Sequence, residues 1–370
     1  MLTTTALDAL ATRVALTCRA GLDLDALRDA VLPQLRKALP VDALWWALAD
    51  PATLLFTNSF RDELPADSGP YFVENEYLRD DVNKWTDLAR DPVGVRSLMD
   101  ATQGRPVSSE RYRDIFEPLG LQDELRAVLR IRGTCWGFIC LHREAAESTF
   151  SSEEAAFLQR LAPHLAEGIR LGLLQGAVRP DAGPDGPGLV LIGPDGAVAG
   201  LNDTAGRWLV ELGGTSDGSE LPVELSALVA RLHRLDPTEP ALPRSQVRTR
   251  SGRWARMHAS WMDSPGGRSS AVIVEEAPAA EVAPLVMVAY GLTPRERAVT
   301  GLVCQGRSTR QIAERLHLTT DTVQDHLKSV FDRTGVHSRG ELVATILQRD
   351  YLPRALAGDR PGRSGAFTDP

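Results

Sequence analysis

The sequence predicts a multidomain α+β protein whose last part is an all-α four-helix domain. Three observations predict it. Four short helical patterns, the first three each with its own cap, follow one another between residues 292 and 349. In the first 276 residues, strand-like runs joined by tight turns are interspersed with helical ones, the order expected of antiparallel sheets with helices on their faces. Two breaks rich in Pro, Gly, Ala and Asp, at 174–187 and 277–287, read as linkers and divide the chain of 370 residues into parts of domain size.

The first part, residues 1–173, opens with helical patterns at 6–19 and 24–38. Strand-like VDALWWALAD and LLFTNSF follow, and later RAVLRIR and CWGFICLHR flank a Gly133-Thr134 turn as a hairpin does. A last helix starts at Ser151, with Glu154 at N3, and presents Phe157, Leu158, Leu161, Leu165 and Ile169 on one face. Pro163 inside it is expected to kink it or end it early. In order and pattern this part resembles a GAF domain, an α/β small-molecule sensor fold.

In such a sensor the segment PYFVENEYLRDDVNKWTDLARDP, residues 70–92, covers a pocket. The resemblance therefore implies a ligand cavity lined by Trp45, Phe56, Tyr71, Phe72, Tyr77, Trp85 and Trp136. Carboxylates in the segment, such as Glu74 and Glu76, would choose cationic or hydroxyl-bearing ligands. The plainer reading is a surface helix with buried aromatics. Asp80 and Asp81 are adjacent and diverge in direction on a helix, so solvated charge is expected of them rather than acid/base or metal chemistry.

The second part, residues 188–276, opens with a strand, a Pro194-Asp195-Gly196 turn, another strand, and Asn202 capping a helix that holds Ala205 and Trp208. QVRTRSGRWARMHASWM and SAVIVEE then read as strands around Ser251-Gly252 and Gly266-Gly267 turns. This order resembles an α/β PAS domain, short for that fold and serviceable as a connector without a ligand.

The third part, residues 288–352, carries the sharpest signals. Thr293, Pro294 and Glu296 supply an N-cap hydroxyl, a pre-set φ at N1 and a reciprocal carboxylate at N3. The helix they start is expected to stop near Gly306. Ser308 and Gln311 repeat the grammar before Ile312, Ala313 and Leu316, and after the turn His317-Leu318 a third cap, Thr319, opens a helix. Val323, Leu327, Val330 and Phe331 face its core, while Thr320, Asp321, Gln324, Asp325 and Lys328 turn outward. Two helices joined by so short a turn place the second in a major groove.

LTPRE, the capped IAERL helix, TV followed by DHLK, and TGVHSRGELV together resemble the LuxR-type helix-turn-helix domain over about sixty residues. The resemblance implies double-stranded DNA as partner. Thr319 and Thr322 correspond to backbone-contacting caps, and Gln324, Asp325 and Lys328 to the base-facing row. Asp325 is acidic where many members are basic, so it either accepts from a cytosine amino group or stands by as a spectator. Arg333 and Arg339 are candidate phosphate contacts. On the last helix, part of the stripe Leu342, Val343, Ile346 and Leu347 closes the core, and the rest is available to a second copy, hence a homodimer on a two-fold site.

Charge agrees with that placement. Residues 291–350 hold nine Lys/Arg against seven Asp/Glu, locally +2 in a chain of −8. Cys18, Cys135, Cys140 and Cys304 form no C-x-x-C pair and have no clustered His partner, which fits a reduced, cytoplasmic chain. Cys135 and Cys140, five apart, are expected on opposite faces of one strand. No apolar run approaches a membrane span and no secretory pattern opens the chain.

No G-x-x-x-x-G-K-[ST], G-x-S-x-G or H-E-x-x-H string is present, so NTP hydrolysis and the commoner hydrolases are set aside, and no cofactor or metal is called for. Haem through His142 or His164 and redox sensing through Cys135 or Cys140 stay open as sensor chemistries. The leading expectation is a transcription regulator with a small-molecule effector, meeting RNA polymerase if it is an activator. Its rivals are an architectural DNA binder with inert N-terminal domains and an enzyme fused to a DNA-binding domain. Beyond residue 352 the tail, rich in Pro, Gly and Arg, is expected to be disordered.

Overall fold

The computed structural model describes residues 4–65, 68–144, 148–175, 183–235, 242–264, 267–348, 360–361 and 367–368. The chain forms two compact units, one of Met1–Gln175, Gly186–Arg250 and Ala255–Glu275, the other of Gly176–Asp185, Ser251–Trp254 and Glu276–Pro370.

The first unit begins with α1 (Thr4–Cys18) and α2 (Leu24–Ala38), the latter capped by the Asp23 carboxylate accepting from the Ala26 N–H. There follow β1 (Ala43–Ala49), β2 (Phe56–Asp62), α3 (Ser68–Leu78), α4 (Trp85–Leu88), β3 (Val95–Ser97), α5 (Leu98–Ala101), β4 (Leu121–Ile131), β5 (Thr134–Glu144) and α6 (Ser152–Gln175). The strands form one antiparallel sheet in the order β2-β1-β5-β4-β3. On one side α6 lies against α1, α2 and the sheet, coming so close to α2 that a Cβ at Gly168 would lie 3.0 Å from the Leu27 methyls.

The capping box at the start of α6 forms as its residues require: Ser151 N–H donates to the Glu154 carboxylate and Glu154 N–H to the Ser151 hydroxyl. Pro163 does not end this helix, which runs on to Gln175. The proline withholds a single N–H, while buried Phe157, Leu158 and Leu161 before it and Leu165 and Ile169 after it hold both halves in place. The β4–β5 turn sits one residue earlier than Gly133-Thr134, on Arg132 and Gly133, whose φ of 52° and 77° suit a two-residue hairpin loop with both centres left-handed.

Between Leu129↔Gly137 and Arg130↔Cys135 the β4–β5 register slips, leaving Trp136 as the extra residue of a bulge. The slip overturns the strict alternation expected of the strand: Cys135 and Cys140 belong to the same buried cluster. Beside the bulge, a Cβ on Gly137 would collide with the Ala47 carbonyl oxygen of β1. Gly137→Ala is expected to destabilise the unit by about 1–3 kcal/mol, seen as a lower denaturation midpoint at unchanged m-value.

The middle part adds β6 (Gly188–Ile192), β7 (Val198–Leu201), α7 (Asp203–Glu211), α8 (Val223–Arg234), β8 (Arg244–Arg248), β9 (Trp254–Ser264) and β10 (Gly267–Glu276). Asn202 caps α7, its side-chain oxygen accepting from the Ala205 N–H at 2.9 Å. Its sheet, ordered β7-β6-β10-β9-β8, repeats the strand order of the first sheet. The two sheets do not stand apart as separate domains. Helix α8 packs on α3 and β2, β8 packs on β2, and one buried cluster runs from Phe56, Trp85 and Phe138 to Trp208, Leu228 and Val274. Of the expected linker 174–187, Leu174 and Gln175 are helical and residues 176–182 lie outside the described residues.

The second unit holds α9 (Ala279–Ala289), α10 (Pro294–Cys304), α11 (Thr309–Leu316), α12 (Thr320–Thr334) and α13 (Arg339–Val343), the last continued by a π-turn over Ala344–Gln348. Residues 277–287 are not a linker: most of them form α9, whose Ala283, Val286 and Met287 join Leu302, Ile312, Val323, Leu327 and Leu342 in one core. Helix α9 packs on the terminal π-turn and on α10. Gly306, at φ +75°, follows α10 as its sequence position implied. The tail beyond 352 lies outside the described residues except for Arg360–Pro361 and Phe367–Thr368, which pair as short antiparallel strands.

Candidate functional site

Register decides what the first sheet presents on its inner face. Rows run across the strands as Ala43–His142–Glu124, Arg61–Trp45–Cys140–Arg126 and Ser59–Ala47–Phe138–Val128. Over the middle of this face lies α3, turning Gly69, Phe72, Val73 and Glu76 toward it at helical spacing, with Trp85 of α4 beside them. Trp85 stacks on Phe138 at 4.5 Å, and Trp45 meets Phe56 edge-on at 4.8 Å. The space enclosed is a cavity of about 260 Å³, whose far wall comes from the middle part, including Leu212, Leu221, Val223 and Glu224.

Of the seven aromatic residues expected to line a pocket, Trp45, Phe56, Phe72 and Trp85 do so. Tyr71 points away and is 57% exposed. Tyr77 stands behind Phe56 at 5.3 Å, its hydroxyl buried. Trp136, displaced by the bulge, is buried but does not line the cavity. The helix period at 69, 72, 73 and 76 was the available signal for which face of α3 to choose.

Beneath the aromatics lies a charge cluster that no sequence motif announced. Glu124 is fully buried; one carboxylate oxygen accepts from Arg111 at 2.8 and 3.1 Å and the other from Arg126 at 3.0 Å. Arg126 also donates to Glu76 at 2.8 Å and lies 4.5 Å over the Trp85 ring. Asp81, expected to be solvated, is instead buried, accepting from Asn75, the Ser109 hydroxyl and the Arg111 N–H. Burial raises the Glu124 carboxyl, but Arg111 and Arg126 outweigh it and hold it at about 2. Burial drives His142 down to about 4, partly offset by Glu124.

The cysteines do acquire a histidine neighbour: Glu124, Cys140 and His142 bring possible metal-ligating atoms within 4.8 Å of one another. The donor set is unsuited to a cation. Both Glu124 oxygens are engaged by guanidinium groups, and burial pushes the Cys140 thiol well up, away from the thiolate a metal needs. His164, the other haem candidate, is half-buried on α6.

In the second unit, α11 and α12 are joined through His317, held left-handed at φ 53°, and Leu318. The Thr319 hydroxyl accepts from the Thr322 N–H at 3.1 Å and pairs with the Thr322 hydroxyl at 2.9 Å. Thr320, Asp321, Gln324, Asp325 and Lys328 all lie exposed on α12, while Val323, Leu327 and Val330 are buried. Glu296 ties helices together: one oxygen accepts from the Thr293 N–H at 2.7 Å, the other from the Ser329 hydroxyl at 2.6 Å.

Both candidate phosphate contacts prove to be engaged within the domain. Arg333 reaches Glu296 at 3.5 Å and the Gly291 carbonyl at 3.3 Å, while Arg339 donates to the Arg307 carbonyl and the Thr309 hydroxyl. Leu342 and Ile346 are buried in the core, so the stripe expected at a dimer contact reduces to half-buried Val343 and Leu347.

A short capped helix, a tight turn and a longer helix with an exposed polar row define the helix-turn-helix class. Residues 291–346 match the model of bacterial regulatory proteins of the luxR family, and residues 23–169 match the GAF domain model. The spore germination protein GerE of Bacillus subtilis is 35% identical over 61 residues, 16% of this chain and 82% of that protein. The chain belongs to the luxR family.

The monoamine regulon transcriptional regulator of Klebsiella aerogenes is 39% identical over 64 residues, which make up 17% of this chain and 26% of that protein. The chain thus spans about a quarter of that relative, and 29% of the transcriptional regulatory protein MctR of Rhizobium johnstonii. Among solved structures, the GAF domain from an Acinetobacter phosphoenolpyruvate-protein phosphotransferase aligns over 48% of this chain and 100% of its own, at 16% identity and a TM-score of 0.34. Among the described residues no helix is long and apolar enough to cross a membrane.

Proposed function

We propose that the chain is a cytoplasmic, sequence-specific DNA-binding transcription regulator that acts as a homodimer under the control of a small-molecule effector. The observation that carries this reading is the exposed row Thr320, Asp321, Gln324, Asp325 and Lys328 on a helix that a luxR-family domain presents after a tight turn. The cavity of about 260 Å³ in the GAF-matching unit supplies the place for an effector. Two of the relatives matched over this region are named as transcriptional regulators, which supports a regulator rather than an enzyme. The repeated strand order, with α7 and α8 between β7 and β8, supports the PAS-like reading of residues 188–276. In this reading effector binding shifts an equilibrium between dimer arrangements, and RNA polymerase is the partner if the protein activates.

The test is selection of genomic DNA fragments by the purified full-length protein at fixed salt. A two-fold motif is expected. Gln324→Ala should relax preference at particular base pairs, by about 1–3 kcal/mol for a lost bidentate contact. Lys328→Ala should weaken binding at all sequences and lower the salt slope by about one unit. Absence of any enriched motif, both with the full chain and in the presence of cell extract supplying effectors, would sink the reading.

A further inference from the structure

The cavity's polar groups are not spread evenly around it. Arg126, 1% exposed, forms part of the cavity wall; its Nε and Nη1 are committed to Glu124, Glu76 and the Asn83 carbonyl, while its Nη2 donates to no group among the described residues. From the middle part comes Glu224, 4% exposed, which faces the Ser59 hydroxyl and Arg250 and makes no ion pair among the described residues. Arg61 pairs with Glu220 at 2.5 Å, while Arg248 and Arg250 donate to the Leu173 and Val210 carbonyls. In all, four glutamates and four arginines contribute to the wall, so neither sign of charge dominates its lining. Trp45, Phe56, Phe72 and Trp85 supply flat apolar surface alongside these polar groups.

A buried donor without a partner among the described residues, and a buried carboxylate that accepts from Ser59 with acceptor capacity to spare, share one aromatic-walled space and call for a ligand that meets both, since an unpaired buried polar group is costly. We infer that the cavity takes a small, flat, uncharged molecule that accepts a hydrogen bond from Arg126 through one end and donates one to Glu224 through the other. The middle part of the chain thereby selects the effector jointly with the GAF-matching part. This inference rests on the reading of the cavity as an effector site. A volume of about 260 Å³ lies just below the usual range of ligand pockets, about 300–1,000 Å³, and so suits a small molecule.

The test uses the full chain and three uncharged probes of one shape: 4-hydroxyacetophenone, with acceptor and donor at opposite ends, acetophenone, with the acceptor alone, and 4-ethylphenol, without the ketone. Binding is read by titration calorimetry and by quenching of tryptophan fluorescence. The first probe should bind at least about tenfold more tightly than either of the others, the size of one hydrogen bond to a charged group. Glu224→Leu should abolish its advantage over acetophenone, so that the two ketones bind alike. Glu224→Gln, which keeps a neutral acceptor, should retain a smaller part of the advantage and shows that the loss is not a folding defect. Equal binding of all three probes, or an advantage that survives Glu224→Leu, overturns the inference and leaves the effector site standing. Failure of all three, and of their charged counterparts 4-hydroxybenzoate and tyramine, to bind at millimolar concentration overturns the effector site itself.

Discussion

Glu124→Gln is expected to cost about 3–5 kcal/mol of stability, the range for removing one partner of a buried ion pair. Both carboxylate oxygens of Glu124 accept from guanidinium groups, and neither Arg111 nor Arg126 has solvent to turn to, at 0% and 1% side-chain exposure. A glutamine there keeps one acceptor but aims an NH₂ at N–H donors, and it leaves two buried cations opposite Glu76 and Asp81 alone. Urea denaturation at pH 7 should show the loss as a lower midpoint; a change under about 1 kcal/mol would mean that water reaches the cluster and screens it. The same cluster sets an acid limit. Glu124 has a folded pKa of about 2, below its ordinary 4.5, so its contribution is complete above pH 4.5 and is lost as pH falls toward 2. His142, at about 4 against an ordinary 6.5, adds an earlier loss between pH 6.5 and 4, because the unfolded chain takes up the proton that the buried imidazole refuses. His142→Phe should remove that earlier loss and leave the later one.

Which features were legible in the sequence follows from how local their causes are. The caps Thr293 with Glu296, Ser308 with Gln311, and Thr319 are satisfied by atoms three residues away, so the pattern in the chain is already the geometry in space. The outward row of α12 follows from helical period alone. The misplacement of Trp136 comes from a one-residue bulge, which reverses a strand's alternation without marking the sequence. Helix α9 hides behind Pro278, Pro284 and four alanines, a composition that reads as linker until Met287 and Val286 find the core of the helical unit. Charged residues in the apolar strand LQDELRAVLRI were a visible signal of something buried. That Glu124 and Arg126 meet Arg111 and Glu76 depends on strand register and on the fold of α3, which no window of sequence contains. Glu224 was out of reach for the same reason: it lines the cavity only because α8 docks on α3 and β2.

Glu224 is also expected to give the protein a pH dependence opposite in sign to that of Glu124. Burial pushes its carboxyl up to about 7, with the helix N–H at its own position, the Ser59 hydroxyl and Arg250 recovering only part of the shift. The folded protein then holds this proton more tightly than the unfolded chain does. Stability from this group is therefore greatest below pH 4.5 and is lost as pH rises from 4.5 through 7, by about 3 kcal/mol in all. Glutamine keeps the shape without the ionisation. Denaturation of wild type and Glu224→Gln in parallel should give nearly equal stability at pH 4.5 and a gap that widens to about 3 kcal/mol in favour of the variant by pH 8. Curves that stay parallel from pH 4.5 to 8 would show that the carboxyl titrates normally and that the cavity is wet at that wall. A widening gap would mean that the chain keeps at this position a carboxylate that its own folding disfavours near neutral pH, as expected where a group serves a ligand rather than the fold. Saturating 4-hydroxyacetophenone should then narrow the gap, because a donor bound to Glu224 stabilises the ionised form in the wild type and gives less to the neutral amide.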